Sequence, residues 1–362
     1  MSTAPHVMID LRMVEGSLHG IARYALELAR RLPALAPDWR FTGLVGPRGL
    51  PPGLGALTPP LPLVTSRAAF LSPTEQPLLT ASLAQHRPDL FHATSFSVPA
   101  LWPGALVATL HDANHLALPE LYGAKQRLYY RLIVGPTARR ARALITVSEF
   151  SREELSRHLG LSPYRFQVIP QGVDAAFSPL RASTIEASRQ RMGVPRGYLL
   201  SVGNAKAYKN LGMLGRISDR LPLPLRVVAG ATTAPELGLP ESVRILSGLD
   251  EAQLREAYAC ATALLFPSRY EGFGLPALEA MASGVPVIAA DGSSLREVVG
   301  GAGLLVPPDD EEGWVEAVLR LRRDPELRRE LVEAGLARAA RMTWELCAQR
   351  TLQVYRRALG DM

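Results

Sequence analysis

The stretch FPSRYEGFGLPALEAMASGVPVIAAD, residues 266–291, decides how the rest of the chain reads. It leaves one apolar run of strand length, residues 263–266, and enters another, residues 285–289. Between them stand a glycine-bearing loop and a short helical pattern. Pro276 suits the first helical position, where a missing N–H costs nothing. Gly284 suits the residue just past the helix end, and Pro286 cannot continue it. The spacing leaves roughly eight helical residues, about 12 Å of helix.

The loop and first turn carry the chemistry. Gly272 and Gly274 lack a Cβ, so backbone and ligand can approach closely. The N–H groups that open the helix at Gly274 and Leu275 carry partial positive charge and favour an anion. Glu271 precedes the helix and Glu279 lies one turn into it. Two carboxylates beside an anion site repel a bare phosphate. They suit a ligand with hydroxyl groups on either side of its phosphates, such as a nucleotide sugar: Glu271 accepting from the sugar, Glu279 from the ribose. Two glutamates at this spacing also arise by chance in helical proteins. The ordered combination of strand, E-G-F-G-L-P, helix, S-G-V-P and strand is far more specific.

That combination resembles the retaining glycosyltransferases of family four, whose signature is a glutamate pair separated by seven residues in the setting EGFGLPALEAMASGVPVIA. The resemblance implies the GT-B fold, an α/β architecture of two Rossmann-like domains with parallel sheets facing a central cleft. It extends over nearly the whole chain. It places an N-terminal, acceptor-side domain at 1–174, rejoined by a C-terminal helix at 344–362, and a nucleotide-sugar-binding domain at 175–343.

Composition agrees with two soluble domains. The chain has 362 residues, 47% of them hydrophobic, enough for sizeable cores. No apolar run is long enough to span a membrane, and the N-terminus lacks the pattern of a signal peptide. Cys260 and Cys347 sit in unrelated contexts and suggest neither disulfide nor metal. The expected address is the cytoplasm. The net charge is +6, and residues 1–180 hold nearly all the excess, with 17 Arg or Lys against 12 Asp or Glu. A basic half suits an acidic partner, but no nucleic-acid-binding motif accompanies it.

In the first half, short apolar runs at 7–11, 41–45, 90–93, 106–110, 143–147 and 166–169 alternate with helical patterns, which implies βα units and a parallel sheet. Gly16 and Gly20 follow the first run, where an open sheet binds ligands at the carboxyl ends of its strands. They read as an ordinary turn or as a phosphate-facing loop, and the resemblance implies the latter for Gly20. Residues 46–77 read as loops around a weak strand. His92 and His111 close the next two runs. Either can serve a local hydrogen bond, the favoured reading for His92, whereas the resemblance implies that His111 lies near the donor sugar. Beside it, Asp112 would orient the ring or contact the acceptor. The stretch from Glu120 to Glu149 holds Lys125, Arg127, Arg131, Arg139, Arg140 and Arg142 with no acidic residue between. It reads as a solvated face in an arginine-rich chain or, less favoured, as a basic amphipathic helix for an anionic membrane at the inner face. The crossing VIPQGVDAAFSP matches the family except for Gln171, usually Asn.

The second half restarts the alternation at 198–202, with further runs at 225–229, 243–246, 263–266 and 303–306. The loop GNAKAYKN holds two of the chain's three lysines against 37 arginines. An ammonium is a compact charge suited to phosphate oxygens. Lys209 matches the family's diphosphate-gripping lysine. The family's arginine position is Ala205 here, so Lys206 is the candidate replacement.

No D-x-D and no metal-ligand spacing occurs, so no metal and no resident cofactor is expected. The GFG triplet lacks a dinucleotide fingerprint. The reading is a metal-independent, retaining transfer of a mannosyl- or glucosyl-type unit from a UDP- or GDP-sugar donor to a glycan or lipid-linked acceptor, serving polysaccharide, glycolipid or glycoside synthesis. Two rivals stand beside it: a nucleotide-sugar-binding subunit without catalysis, and a nucleotide-sugar epimerase, for which the second half offers no histidine.

Overall fold

Alternation of apolar strands and amphipathic helices produces two parallel sheets. A computed structural model describes residues 4–15, 19–51 and 60–360. The chain divides into two compact units, residues 1–171 with 344–362, and residues 172–343.

The first unit holds β1 (His6–Asp10), β2 (Arg40–Val45), β3 (Leu63–Thr65), β4 (Leu90–Ala93), β5 (Ala105–Thr109), β6 (Ala143–Thr146) and β7 (Phe166–Val168). They form one sheet in the order β3-β2-β1-β4-β5-β6-β7, and every pairing is parallel. Strands β1, β4 and β5 are buried almost throughout, as a sheet covered on both faces requires. The helix Gly20–Leu35 starts at His19, whose Nδ1 accepts the Ala22 N–H. Gly16 lies outside the described residues. The weak strand expected within 46–77 is β3, and the helix Glu75–His86 follows it.

The second unit holds β8 (Leu199–Val202), β9 (Leu225–Val228), β10 (Arg244–Leu246), β11 (Ala263–Phe266), β12 (Val287–Ala290) and β13 (Leu304–Val306), again all parallel, in the order β10-β9-β8-β11-β12-β13. In each sheet the strand order reverses once, between β1 and β4 and between β8 and β11. Open α/β sheets bind ligands at such a switch, outside the carboxyl ends of the strands.

The basic stretch is not one regular helix. It runs as Ala124–Tyr129, a single π turn at Tyr130–Val134, and Gly135–Arg140. Two of its arginines are structural. Arg140 donates to the carbonyls of Trp102 (2.6 Å) and Pro99 (2.7 Å), and Arg139 to that of Leu159 (2.9 Å). Both residues remain exposed, as a solvated face has them, while their guanidiniums also serve loop and helix-end carbonyls. No helix among the described residues is long and apolar enough to cross a membrane.

Candidate functional site

Lys209 and Glu271 follow adjacent strands, β8 and β11, on either side of the switch in the second sheet. After β8 the chain makes a tight turn at Ala207–Lys209 and enters the helix Leu211–Ile217 through Asn210, which takes φ +55°. Asn tolerates this left-handed region better than most side chains. Its amide fixes the turn by donating to the Pro308 carbonyl at 2.8 Å. Lys209 Nζ then reaches Glu271 Oε1 at 2.6 Å, with side chains 16% and 11% exposed. The ammonium also lies 5.6 Å from the Tyr208 ring centroid and 5.7 Å from that of Phe266. Lys206, one residue before the turn, is exposed, with Nζ 5.7 Å from the Tyr208 ring centroid.

After Glu271 the loop enters the helix Leu275–Ala282 through Gly274 at φ +106°. A Cβ at Gly274 would meet Leu295 Cδ2 at 2.6 Å, so glycine is required there by both backbone and space. Pro276 occupies the second helical position, not the first, with Leu275 ahead of it. The fully buried Ser294 ties the loop down, its hydroxyl lying 2.9 Å from the Glu271 carbonyl oxygen and 2.8 Å from that of Phe273. At the other end, Gly284 takes φ +71° just past the helix, as its place in the sequence predicts.

Glu279 is 7% exposed and accepts a hydrogen bond from Tyr258 Oη at 2.8 Å. Tyr258 is itself buried, edge-on to Phe177. A buried carboxylate must be paired or hydrogen-bonded, and Tyr258 supplies one such partner.

The second unit thus brings together Lys206, Lys209, Glu271, Gly274, Leu275 and Glu279. Gly20 and His111 belong to the first unit, Gly20 as the first residue of its helix and exposed. His111 follows β5 and is 8% exposed. Its Nε2 lies 2.9 Å from the Thr94 carbonyl oxygen and its Nδ1 3.1 Å from Gln171 Nε2. Burial lowers its pKa to about 4. His92 is fully buried, with Nδ1 2.6 Å from Tyr355 Oη and Nε2 2.8 Å from Thr109 Oγ1, and burial lowers its pKa to about 3. It anchors the last helix, Trp344–Leu359, to the sheet. Asp112 Oδ1 accepts the Asn114 N–H at 3.0 Å.

At the switch of the first sheet lies a charge cluster that sequence pattern does not reveal. Arg12 is fully buried; it binds Asp10 Oδ2 at 2.7 Å and Glu75 Oε1 at 2.8 Å, and donates to Ser97 Oγ at 3.1 Å. It ties the end of β1 to the helix Glu75–His86 and to the loop after β4. Among the described residues no group of three or more His, Cys, Asp or Glu is placed to hold a metal ion.

The sequence and the fold both match known proteins. The family model for glycosyltransferase family 4 matches residues 18–177, and that for glycosyl transferases group 1 matches residues 186–338. The O-antigen chain mannosyltransferase B of Escherichia coli is 29% identical over 371 residues, covering 94% of this chain and 96% of that protein. Sucrose-phosphate synthase from Thermosynechococcus elongatus superposes with a TM-score of 0.80 at 20% identity, covering 99% of this chain and all of that one. Anabaena HepE, solved with UDP and glucose, superposes at 0.77 and 20% identity over 97% of this chain and 99% of its own. With family models matching both halves of a two-sheet GT-B fold, the chain belongs to the family-four, group 1 glycosyltransferases.

Proposed function

We propose that the chain transfers a hexosyl unit of mannosyl or glucosyl type from a UDP- or GDP-linked sugar to an acceptor hydroxyl, with retention and without a metal. One observation carries this reading: Lys209 and Glu271, a cation and a carboxylate, are paired at the switch of the second sheet, next to a helix N-terminus. Lys209 takes the diphosphate, aided by Lys206 and the N–H groups at Gly274 and Leu275. These preorganised donors neutralise charge as the nucleoside diphosphate leaves, the task a metal would otherwise perform. Glu271 takes the sugar hydroxyls, and Glu279, aimed by Tyr258, the ribose. In the first unit, Gly20 and His111 are the residues that the resemblance assigns to the donor. The Escherichia coli relative named as a mannosyltransferase and the UDP and glucose bound by Anabaena HepE support the donor class.

A lipid-linked glycan acceptor, met at the inner face of the cytoplasmic membrane, suits the surface of the first unit. Leu121, Leu128 and Leu132 stand 40%, 53% and 59% exposed beside the exposed Lys125 and Arg131. Leucines insert among acyl chains while the cations meet anionic headgroups, each worth about 1 kcal/mol. Replacing Leu128 and Leu132 by Asp should abolish co-sedimentation with anionic liposomes and leave nucleotide binding intact.

The reaction is tested by incubating UDP- and GDP-hexoses with glycan acceptors in excess EDTA and reading the product anomer by NMR. Retained anomeric configuration in EDTA is expected. Inversion, or abolition by EDTA with rescue by Mg²⁺, would overturn the corresponding part of the reading.

A further inference from the structure

Gln171 ends the N-terminal segment of the first unit and is buried. Its amide nitrogen lies 3.1 Å from His111 Nδ1, while His111 Nε2 lies 2.9 Å from the Thr94 carbonyl oxygen. A carbonyl only accepts, so the ring proton sits on Nε2; an amide NH₂ only donates, so Nδ1 presents its lone pair. Both contacts are satisfied together only in the neutral Nε2–H tautomer. Protonating Nδ1 would set an N–H against the amide's own N–H. The Tyr24 ring closes one side, edge-to-face with centroids 4.8 Å apart. The other titratable groups near the imidazole are His19 at the start of the same helix as Tyr24, His92 on β4, and Asp112, next in the chain. Of these, His19 opposes a positive charge on the ring.

We propose that Gln171 is a positioning residue that locks His111 as its neutral Nε2–H tautomer, so that the imidazole stays uncharged and takes no proton from the acceptor. The role in the reaction rests on the function proposed above; the tautomer rests on the hydrogen bonds alone. A general base needs a lone pair within reach of the proton it removes. Here Gln171 occupies the one lone pair and Thr94 the one N–H. The residue type matters because an acid at this position reverses the polarity. In a Gln171→Glu variant the new carboxylate would accept from Nδ1–H while Thr94 still accepts from Nε2–H, and that pair of acceptors selects the imidazolium.

The test is selective ¹⁵N-histidine NMR of the full chain from pH 8 to pH 5, with His111 assigned from the spectrum of His111→Asn. Wild-type His111 should give the neutral Nε2–H signature and fail to titrate in this range. Gln171→Glu should make it cationic at pH 7, and should lower kcat about tenfold or more, since small displacements of an oriented group cost that much, while adding a pH limb absent from the wild type. Gln171→Asn, which keeps an amide donor, should restore more of both than Gln171→Leu. A wild-type His111 that titrates near its ordinary value, or carries its proton on Nδ1, would overturn the proposal. So would a Gln171→Leu variant whose His111 resists protonation as the wild type does and whose pH profile is unchanged. If Gln171→Glu does not fold, the wild-type, Asn and Leu spectra decide. No turnover with any donor beside the expected spectrum would refute the transfer reading, and with it the role in the reaction, and would leave the tautomer lock supported.

Discussion

The Lys209–Glu271 pair makes opposite predictions for its two members. Lys209→Ala removes a charged donor from the phosphate position, and hydrogen bonds to charged groups contribute about 1.5–3 kcal/mol. At about 1.4 kcal/mol per decade, affinity for the free nucleoside diphosphate should fall roughly 10- to 150-fold. The variant also leaves Glu271, only 11% exposed on its side chain, with an unpaired negative charge beside the incoming diphosphate, which pushes the loss toward the upper end. Glu271→Gln does the reverse. It frees the Lys209 ammonium from a carboxylate 2.6 Å away, so the nucleoside diphosphate should bind as tightly as to the wild type or up to tenfold more tightly, while turnover falls because the sugar loses a charged acceptor. Isothermal titration calorimetry with UDP and GDP, on both single variants and the double, separates the effects. Coupling between the two should be non-additive, as for any pair in direct contact. Equal loss of nucleotide affinity in both variants, or none in Lys209→Ala, would refute the reasoning.

Tyr258→Phe deletes the Glu279 hydrogen bond without changing the packing against Phe177, and should cost about 1.5–3 kcal/mol in urea unfolding together with weaker nucleotide binding; an unchanged midpoint would show that Tyr258 does not support Glu279. Arg12→Met strands two buried carboxylates and should destabilise by about 3–5 kcal/mol, with Glu75→Gln in the same chain recovering part of it; loss below 1 kcal/mol would mean that the cluster is hydrated. His92 and His111 titrate at about 3 and about 4 in the folded chain because burial disfavours their charge. The unfolded chain therefore binds their protons first, so stability conferred by the neutral rings is complete above about pH 6.5 and is lost as pH falls toward 4 and then 3, by up to about 1.4 kcal/mol per pH unit for each histidine. Urea midpoints that stay level between pH 6.5 and pH 5 would contradict this.

The sequence was most legible where one residue type satisfies a local demand. Gly274 and Gly284 sit at the two positive-φ positions that bound the short helix, and the strand–helix alternation gives both sheets because its periods are local. Lys209 was legible because a lysine in a chain of arginines is improbable by composition. Residues whose role depends on distant partners were not. Tyr258 lies 21 residues from Glu279, Ser294 23 from Glu271, and Gln171 60 from His111. Nothing in their own neighbourhoods marks Tyr258 or Ser294, and Gln171 shows only as a departure from the family's usual Asn, with no hint of its partner. The direct Lys209–Glu271 contact was hidden for the same reason: each was read against a ligand, not against the other, until the neighbouring positions of β8 and β11 set their loops side by side. Arg139 and Arg140 lie on the exposed face that a run of cations predicts, but the carbonyls that their guanidiniums bind come from distant segments and leave no local signal. The Arg12 cluster has no sequence signal, because a single arginine after a strand normally faces solvent.

The most direct test of a nucleotide-sugar donor site in the second unit is a thermal-shift screen of UDP- and GDP-hexoses against the wild type and Lys209→Ala. A ligand at 100 times its Kd adds about 2.7 kcal/mol, so at least one donor should raise the wild-type Tm by several degrees and raise that of Lys209→Ala by about half as much or less at the same concentration. A chain that no UDP- or GDP-sugar stabilises, or whose stabilisation survives loss of Lys209 undiminished, would contradict the account.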